Sequence, residues 1–261
     1  MAVALPHVKP HWPGLPANVG ALSSVRAGGV SVGVYGDGQG GGGLNLGVHV
    51  GDDPAHVAAN RARLAALLPS EPAWLSQVHG VAVADAAGLD GCVPDADASI
   101  ATQAGAVCVV MTADCLPVLF CSHDGAVVGA AHAGWRGLAN GVLQRTVEAM
   151  RAQGATDILA WLGPAIGPQQ FEVGQDVLQA LRDGARDDAE RQVLTAAFAA
   201  IAGKPGKYLA DIYALARTML LRDGVTQVAG GEYCTVSDAA QFYSYRRDGV
   251  TGRQASLIWR K

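Results

Sequence analysis

Three residues in this chain are of types that bind transition metals and stand where chemistry could use them: Cys115 in TADCLPVLF, His132 in AHAGWRGL and His79 in SQVHG. Each ends or follows an apolar, strand-like stretch. Two imidazoles and one thiolate make three protein ligands. That count leaves a fourth tetrahedral position for water or substrate, which separates a catalytic zinc site from a closed structural one. Residues at strand ends project into the crevice where ligands bind, so Cys115 and His132 would face one another if their strands are neighbours. After His132, Ala-Gly-Trp-Arg-Gly leads into a helix whose free N–H groups would favour an anion beside the metal. Arg136 at that start could donate a charged fork to phosphate or carboxylate. On the residues alone, other readings stay open. A cysteine in an apolar run is ordinarily a small core residue, and Cys108 and Cys121 are read so. Cys115 differs because it follows Thr112 and Asp114 and precedes Leu-Pro, a polar break. A lone His79 could equally be a hydrogen-bonded surface or core residue. His7, His11, His49 and His56 sit in loop or helix-start sequence without a partner at metal spacing, and His123 lies in a turn.

The elements that must position these residues follow from pattern. AVCVVMTADC, PVLFCS and AVVGAAH are continuous apolar runs, expected as buried strands. PAWLSQVHG is expected to be a strand ending at His79, and DILAWLGPAIG a strand with a sharp turn. ALSSVRAGGVSVGVYG suggests two short strands around a Gly28-Gly29 turn. In DDPAHVAANRARLAALL, Asp52 and Asp53 can cap a helix and Pro54 suits its first turn. GLANGVLQRTVEAMRAQG is expected as one helix closed by Gly154. A helical region should follow from Val173 to about Ala202, then an amphipathic helix in YLADIYALARTMLLRDG. The tail should be a loop and a final strand. GKPGK near Lys204 is the one linker candidate, and no internal repeat is visible.

Two motif matches fail on context. Gly36, Gly38 and Gly41 satisfy GxGxxG, but a dinucleotide fingerprint must open a helix and this loop runs into strand-like LNLGVHV. Gly29, Ser31 and Gly33 satisfy GxSxG without the strand–turn–helix that a nucleophile elbow needs.

With 261 residues, 50% hydrophobic and 16% charged, the chain can bury a large core. A net charge of −4 argues against a nucleic-acid-binding protein, and charges or glycines interrupt every apolar run short of membrane-spanning length. The opening MAVALPHVKPHWPGLP lacks the layout of a secretory signal, and the five cysteines form no CxxC pair. Reduced thiols in a cytoplasm are therefore expected.

GWRGL, TADCLPVLF, QVHG, GPAIGP with FEVG, and FYSYRRDGVTGRQASLIW together resemble the YfiH family, variously labelled laccase-domain protein, multicopper polyphenol oxidase and purine nucleoside phosphorylase. RAGGVSVG and LNLGVHVGDD also fit, so the match runs in order from about Ser24 to Trp259. The glycine-rich stretch 37–43 is longer and looser than the polar turn usual there. The resemblance implies an α+β fold, one domain over residues 1–261 with a mixed β-sandwich core and helices packed outside. It implies a metal site on His79, Cys115 and His132, holding Zn2+ with Cu2+ as the alternative. It further implies phosphorolysis of adenosine, inosine, guanosine and methylthioadenosine, together with adenosine deamination.

For deamination, bound zinc would lower the pKa of water toward neutrality for attack at C6, with Asp114 as the candidate proton carrier and Glu172 more structural. Phosphorolysis needs an anion cradle. Arg26, Arg61 and Arg136 are its candidates, with Asn45, Arg246 and Arg247 as weaker ones. The partners expected are a purine nucleoside and phosphate, with neither nucleic acid nor membrane, for a monomer or weak homodimer. The alternatives are a copper-dependent polyphenol oxidase, a Cys115/His132 hydrolase acting on a peptidoglycan precursor, and a non-enzymatic zinc-stabilised module. Laccase-type oxygen chemistry needs many imidazoles, commonly as HxH pairs; this chain has seven histidines and no such pair.

Overall fold

The computed structural model describes residues 5–261; the first four, part of the opening stretch read for an export signal, lie outside it. In chain order the strands are β1 (His7–Val8), β2 (Val19–Ser24), β3 (Ala27–Ser31), β4 (Val83–Asp85), β5 (Ala98–Ala101), β6 (Val107–Thr112), β7 (Leu116–Ser122), β8 (Val128–Ala133), β9 (Ile158–Leu162), β10 (Glu172–Gly174), β11 (Phe198–Ala200), β12 (Lys207–Ala210), β13 (Gln227–Gly230) and β14 (Gln254–Arg260). The helices are α1 (Pro54–Ala65), α2 (Trp135–Asn140), α3 (Val142–Ala152), α4 (Gln175–Asp183), α5 (Asp188–Ala196), α6 (Ile212–Arg222) and α7 (Tyr245–Asp248). None is long and apolar enough to cross a membrane.

The strands form a four-stranded antiparallel sheet ordered β1-β2-β14-β6, a six-stranded mixed sheet ordered β13-β9-β7-β8-β5-β4, and a small β10-β12-β11 sheet. The two large sheets face each other. Cys108, Val110 and Ile258 of the first pack with Leu119, Cys121, Val128 and Trp161 of the second in one buried cluster. Alternate residues of the same strands, Leu116, Val118 and Phe120, face α3, α4 and α6 in a second cluster. Leu64 of α1 joins Val107, Val109 and Leu257 on the outer side of the four-stranded sheet. This is the expected α+β architecture, a mixed β-sandwich with helices outside. It also accounts for the continuous apolar runs of β6, β7 and β8, each buried on both faces.

Several local expectations are corrected. Gly28 and Gly29 lie within β3, and the chain turns at Val25-Arg26 instead. LNLGVHV and PAWLSQVHG are irregular, the latter forming only isolated β-bridges, Ala73 with Cys108 and Ser76 with Asp95, in place of a ladder. Its apolar residues are buried without a ladder, so burial imitated a strand. The helix expected after Trp135 is two helices, broken where Gly141 takes φ +91°. The segment 173–202 starts and ends in strand, at β10 and β11, around α4 and α5. GKPGK is the loop of the β11–β12 hairpin rather than a linker. Helix α1 does start as expected, with the Asp53 side chain accepting from the Ala55 N–H and Pro54 in the first turn.

Candidate active site

Strands β7 and β8 pair antiparallel with Leu116 opposite Ala133 and Pro117 opposite His132, so Cys115 and His132 meet at the end of one hairpin ladder. His79 arrives from the irregular segment before β4. The ligand atoms of His79, Cys115 and His132 all lie within 4.8 Å of one another, and Cys115 Sγ is 3.8 Å from His79 Nε2. The two imidazoles sit edge to face, with centroids 4.8 Å apart. Gly134 packs directly behind the trio. A Cβ there would stand 3.0 Å from both Cys115 Sγ and His79 Cδ2, so any larger residue would crowd the two side chains. Two non-glycine residues with positive φ, His79 at 60° and Asp114 at 96°, turn the chain to present the cluster. Such backbone strain persists only where the surroundings over-determine it.

Asp97, which sequence reasoning missed, over-determines it. Its carboxylate is wholly buried at the entry to β5 and accepts from the backbone N–H groups of Val78 (3.1 Å), His79 (2.9 Å) and Gly80 (2.6 Å). It also lies 2.8 Å from His132 Nδ1, while its own carbonyl accepts from the His132 N–H. A carboxylate can only accept, so Nδ1 is the donor to Asp97 and Nε2 is the nitrogen that faces Cys115. The one signal in sequence was an acid entering an otherwise apolar strand.

The donor set fits a thiophilic divalent ion: one soft sulfur, two imidazoles, and a histidine oriented by a carboxylate from behind. The charges agree. Burial raises the Cys115 thiol, but His132 and then His79 more than offset it and bring it down to about 6. Burial lowers His132, yet the Cys115 thiolate and Asp97 raise it to about 9. Burial pushes Cys108 and Cys121 up to about 12, as befits core thiols.

The trio opens on a cleft of about 770 Å³. Trp74, Met111, Trp135, Phe171, Ile212 and Tyr245 give it apolar walls, and His49, Arg61, Arg136, Arg246 and Arg253 line it with cationic or basic groups. None of these four arginines has an ion-pair partner among the described residues. They are held by other means. Arg61 donates to the Leu46 carbonyl and lies 3.8 Å over the Trp74 ring. Arg253 donates to the carbonyls of Thr251 and Gly252, and Arg246 to that of Glu172. Arg136 stands over the Trp135 ring at 4.4 Å. Burial, then Arg253 and Arg61, keep the His49 imidazole below its ordinary value.

The structure sorts the remaining sequence candidates. Arg61, Arg136, Arg246 and Asp114 line the cleft. Asp114 accepts from Thr235 Oγ1 at one oxygen and from the Arg246 N–H at the other. Arg26 does not line it: its guanidinium is spent on the Gly36 carbonyl, 2.7 Å away, behind the Tyr243 ring. Asn45 is fully buried, bonded to Gly47 and Asp52, and its Oδ1 accepts from the backbone N–H of Arg253. It therefore reaches the cleft only through Arg253. Arg247 is bonded to the carbonyls of Thr235 and Phe242, and Glu172 pairs with Lys204 at the surface. Besides Asp97, sequence reading missed Arg253 and His49, which only the fold brings to the trio.

This sandwich with a Cys-His-His cluster at the end of a β-hairpin defines a laccase-domain protein. Residues 20–261 match the family model described as multi-copper polyphenol oxidoreductase laccase, and the chain belongs to that family. It is 51% identical over 254 residues to an Escherichia coli (strain K12) protein named purine nucleoside phosphorylase YfiH, covering 97% of this chain and 98% of that one. It is 50% identical to the Pseudomonas aeruginosa protein named purine nucleoside phosphorylase PA4543, over 96% of both chains. Among solved structures, protein NMB0706 of Neisseria meningitidis superposes with a TM-score of 0.88 at 48% identity, covering 98% of this chain and 99% of that one. YlmD from Geobacillus stearothermophilus gives a TM-score of 0.86 at 32% identity, covering 100% and 98%.

Proposed function

We propose that this protein is a purine nucleoside phosphorylase that also deaminates adenosine, working in the cytoplasm with zinc held by His79, Cys115 and His132. The observation that carries the reading is the set of arginines without carboxylate partners beside that trio, in a cleft with aromatic walls. Cationic groups left uncompensated at a half-enclosed site await an anion, and phosphate is the anion this reaction consumes. The relatives' names point the same way. The five free cysteines suit a reducing compartment. Copper is the second candidate for the metal, because it binds such donor sets at least as strongly.

A metal ion held at the trio would supply Lewis-acid chemistry beside the substrate. The chain's own residues supply the rest. Arg61 and Arg253 grip phosphate through charged hydrogen bonds, and Arg136, also in the cleft lining, adds its charge. Trp135, Phe171 and Tyr245 offer faces on which the purine packs and sheds water. A phosphate oxygen then bonds to the ribose C1′ as the C1′–N9 bond breaks; the electron pair leaves on the purine, which takes up a proton. In deamination a carboxylate must carry protons from the incoming water to the leaving ammonia. Asp114 is assigned that task because it is the one carboxylate lining the cleft among the described residues.

The test is turnover of inosine with phosphate by metal-analysed protein, before and after chelation, beside Cys115→Ala. Loss of activity in both, restored to the chelated wild type by zinc, is expected. Full turnover by Cys115→Ala would overturn the metal reading, and activity that survives chelation would favour a cysteine hydrolase.

A further inference from the structure

We propose that Asp97 is the positioning residue of the metal centre: it fixes the proton of His132 on Nδ1 and clamps the turn that presents His79. The inference rests on the reading of the trio as a metal site. One buried carboxylate takes four donors, three of them consecutive backbone N–H groups of residues 78–80. Both histidines therefore depend on a single side chain, although they come from chain segments more than fifty residues apart. The clamp acts on each differently. For His132 it selects the tautomer, since a carboxylate partner can only accept and leaves Nε2 as the ligating atom. For His79 it holds a backbone φ of +60°, which a histidine rarely adopts unaided. Removing the charge from Asp97 would put an amide N–H against at least one backbone N–H, so the turn would relax and the His79 ring would leave the cluster. Burial of the carboxylate is offset by its four donors. A loop fastened in this way merely for stability would not need the His132 ring as its fourth donor.

The experiment compares zinc affinity by chelator competition for the full chain as wild type, Asp97→Asn, Asp97→Glu and Cys115→Ala. Secondary structure of each metal-free protein is followed by circular dichroism, and cobalt-substituted samples by visible absorption. Asp97→Asn is expected to weaken zinc about 10- to 100-fold, the usual effect of losing an outer-shell partner, and to alter the cobalt spectrum with the metal-free fold kept. Asp97→Glu should fall between it and the wild type. Affinity and spectrum unchanged in Asp97→Asn would overturn the proposal. Should neither Asp97 variant fold, nitrogen NMR of histidine-labelled, zinc-loaded wild type decides: a proton on His132 Nδ1 supports the clamp, and one on Nε2 refutes it. Undiminished zinc binding by Cys115→Ala would instead sink the trio itself, a failure distinct from that of Asp97.

Discussion

Replacing Arg253 with methionine isolates one charged contact in the proposed phosphate cradle. The side chain is suited to it. Its aliphatic stem packs on Gly47, where a Cβ would come within 2.8 Å of Arg253 Cγ, and methionine keeps that stem. The backbone N–H still donates to Asn45 Oδ1 at 2.9 Å, so the segment stays fastened. What is lost is the guanidinium, with its bonds to the carbonyls of buried Thr251 and Gly252, so the melting temperature should fall somewhat beside the kinetic effect. A hydrogen bond to a charged group is worth about 1.5–3 kcal/mol. At about 1.4 kcal/mol per tenfold, KM for phosphate should rise roughly 10- to 150-fold. Phosphate is held in ground and transition states alike, so kcat should change far less, and KM for inosine should stay within about twofold. The assay is the initial rate of hypoxanthine release over a matrix of phosphate and inosine concentrations. An unchanged KM for phosphate, or a rise confined to inosine, would refute the placement of the anion at Arg253.

Gly134→Ala should fold, since Gly134 has φ −62°, but its Cβ would sit 3.0 Å from Cys115 Sγ. Overpacking of about 1–3 kcal/mol should fall on the site, giving a purified protein with normal circular dichroism and reduced zinc per chain by elemental analysis. Arg26→Ala should lower the melting temperature through loss of the Gly36 tether while leaving both KM values unchanged, because its guanidinium stands outside the cleft. In metal-free protein, Cys115 should alkylate with a pH midpoint near 6, because its thiolate persists as pH falls to that value. Cys108 and Cys121, pushed up to about 12, should stay inert at neutral pH, and mass mapping of iodoacetamide adducts reads all three. A Cys115 midpoint near 9 would contradict the imidazole pairing.

What was legible in the sequence had a period or a local chemistry. Strands β6, β7 and β8 showed as unbroken apolar runs because each is covered on both faces, though such runs say nothing of strand direction, and β7 and β8 proved antiparallel. Helix α1 announced itself by Asp53 and Pro54. The trio was visible as residue types at strand ends, but the segment before His79 misled, because Trp74 and Leu75 are buried without joining a ladder. Gly141 broke a helix whose apolar spacing runs on through the break. Arg253 and Asp97 could not be assigned from pattern. Arg253 belongs to a tail loop far along the chain from Cys115, and Asp97 acts through backbone amides that carry no sequence signature. Asn45 shows a related ambiguity: a polar residue next to a site reads the same in sequence whether it meets the substrate or, as Asn45 does with Arg253, holds a residue that lines the cleft.

The most direct test of the account is product analysis of inosine turnover by zinc-loaded protein, with and without inorganic phosphate. Hypoxanthine and ribose 1-phosphate should form in equal amounts, and only when phosphate is present. Hypoxanthine released with free ribose, at a rate indifferent to phosphate, would contradict it.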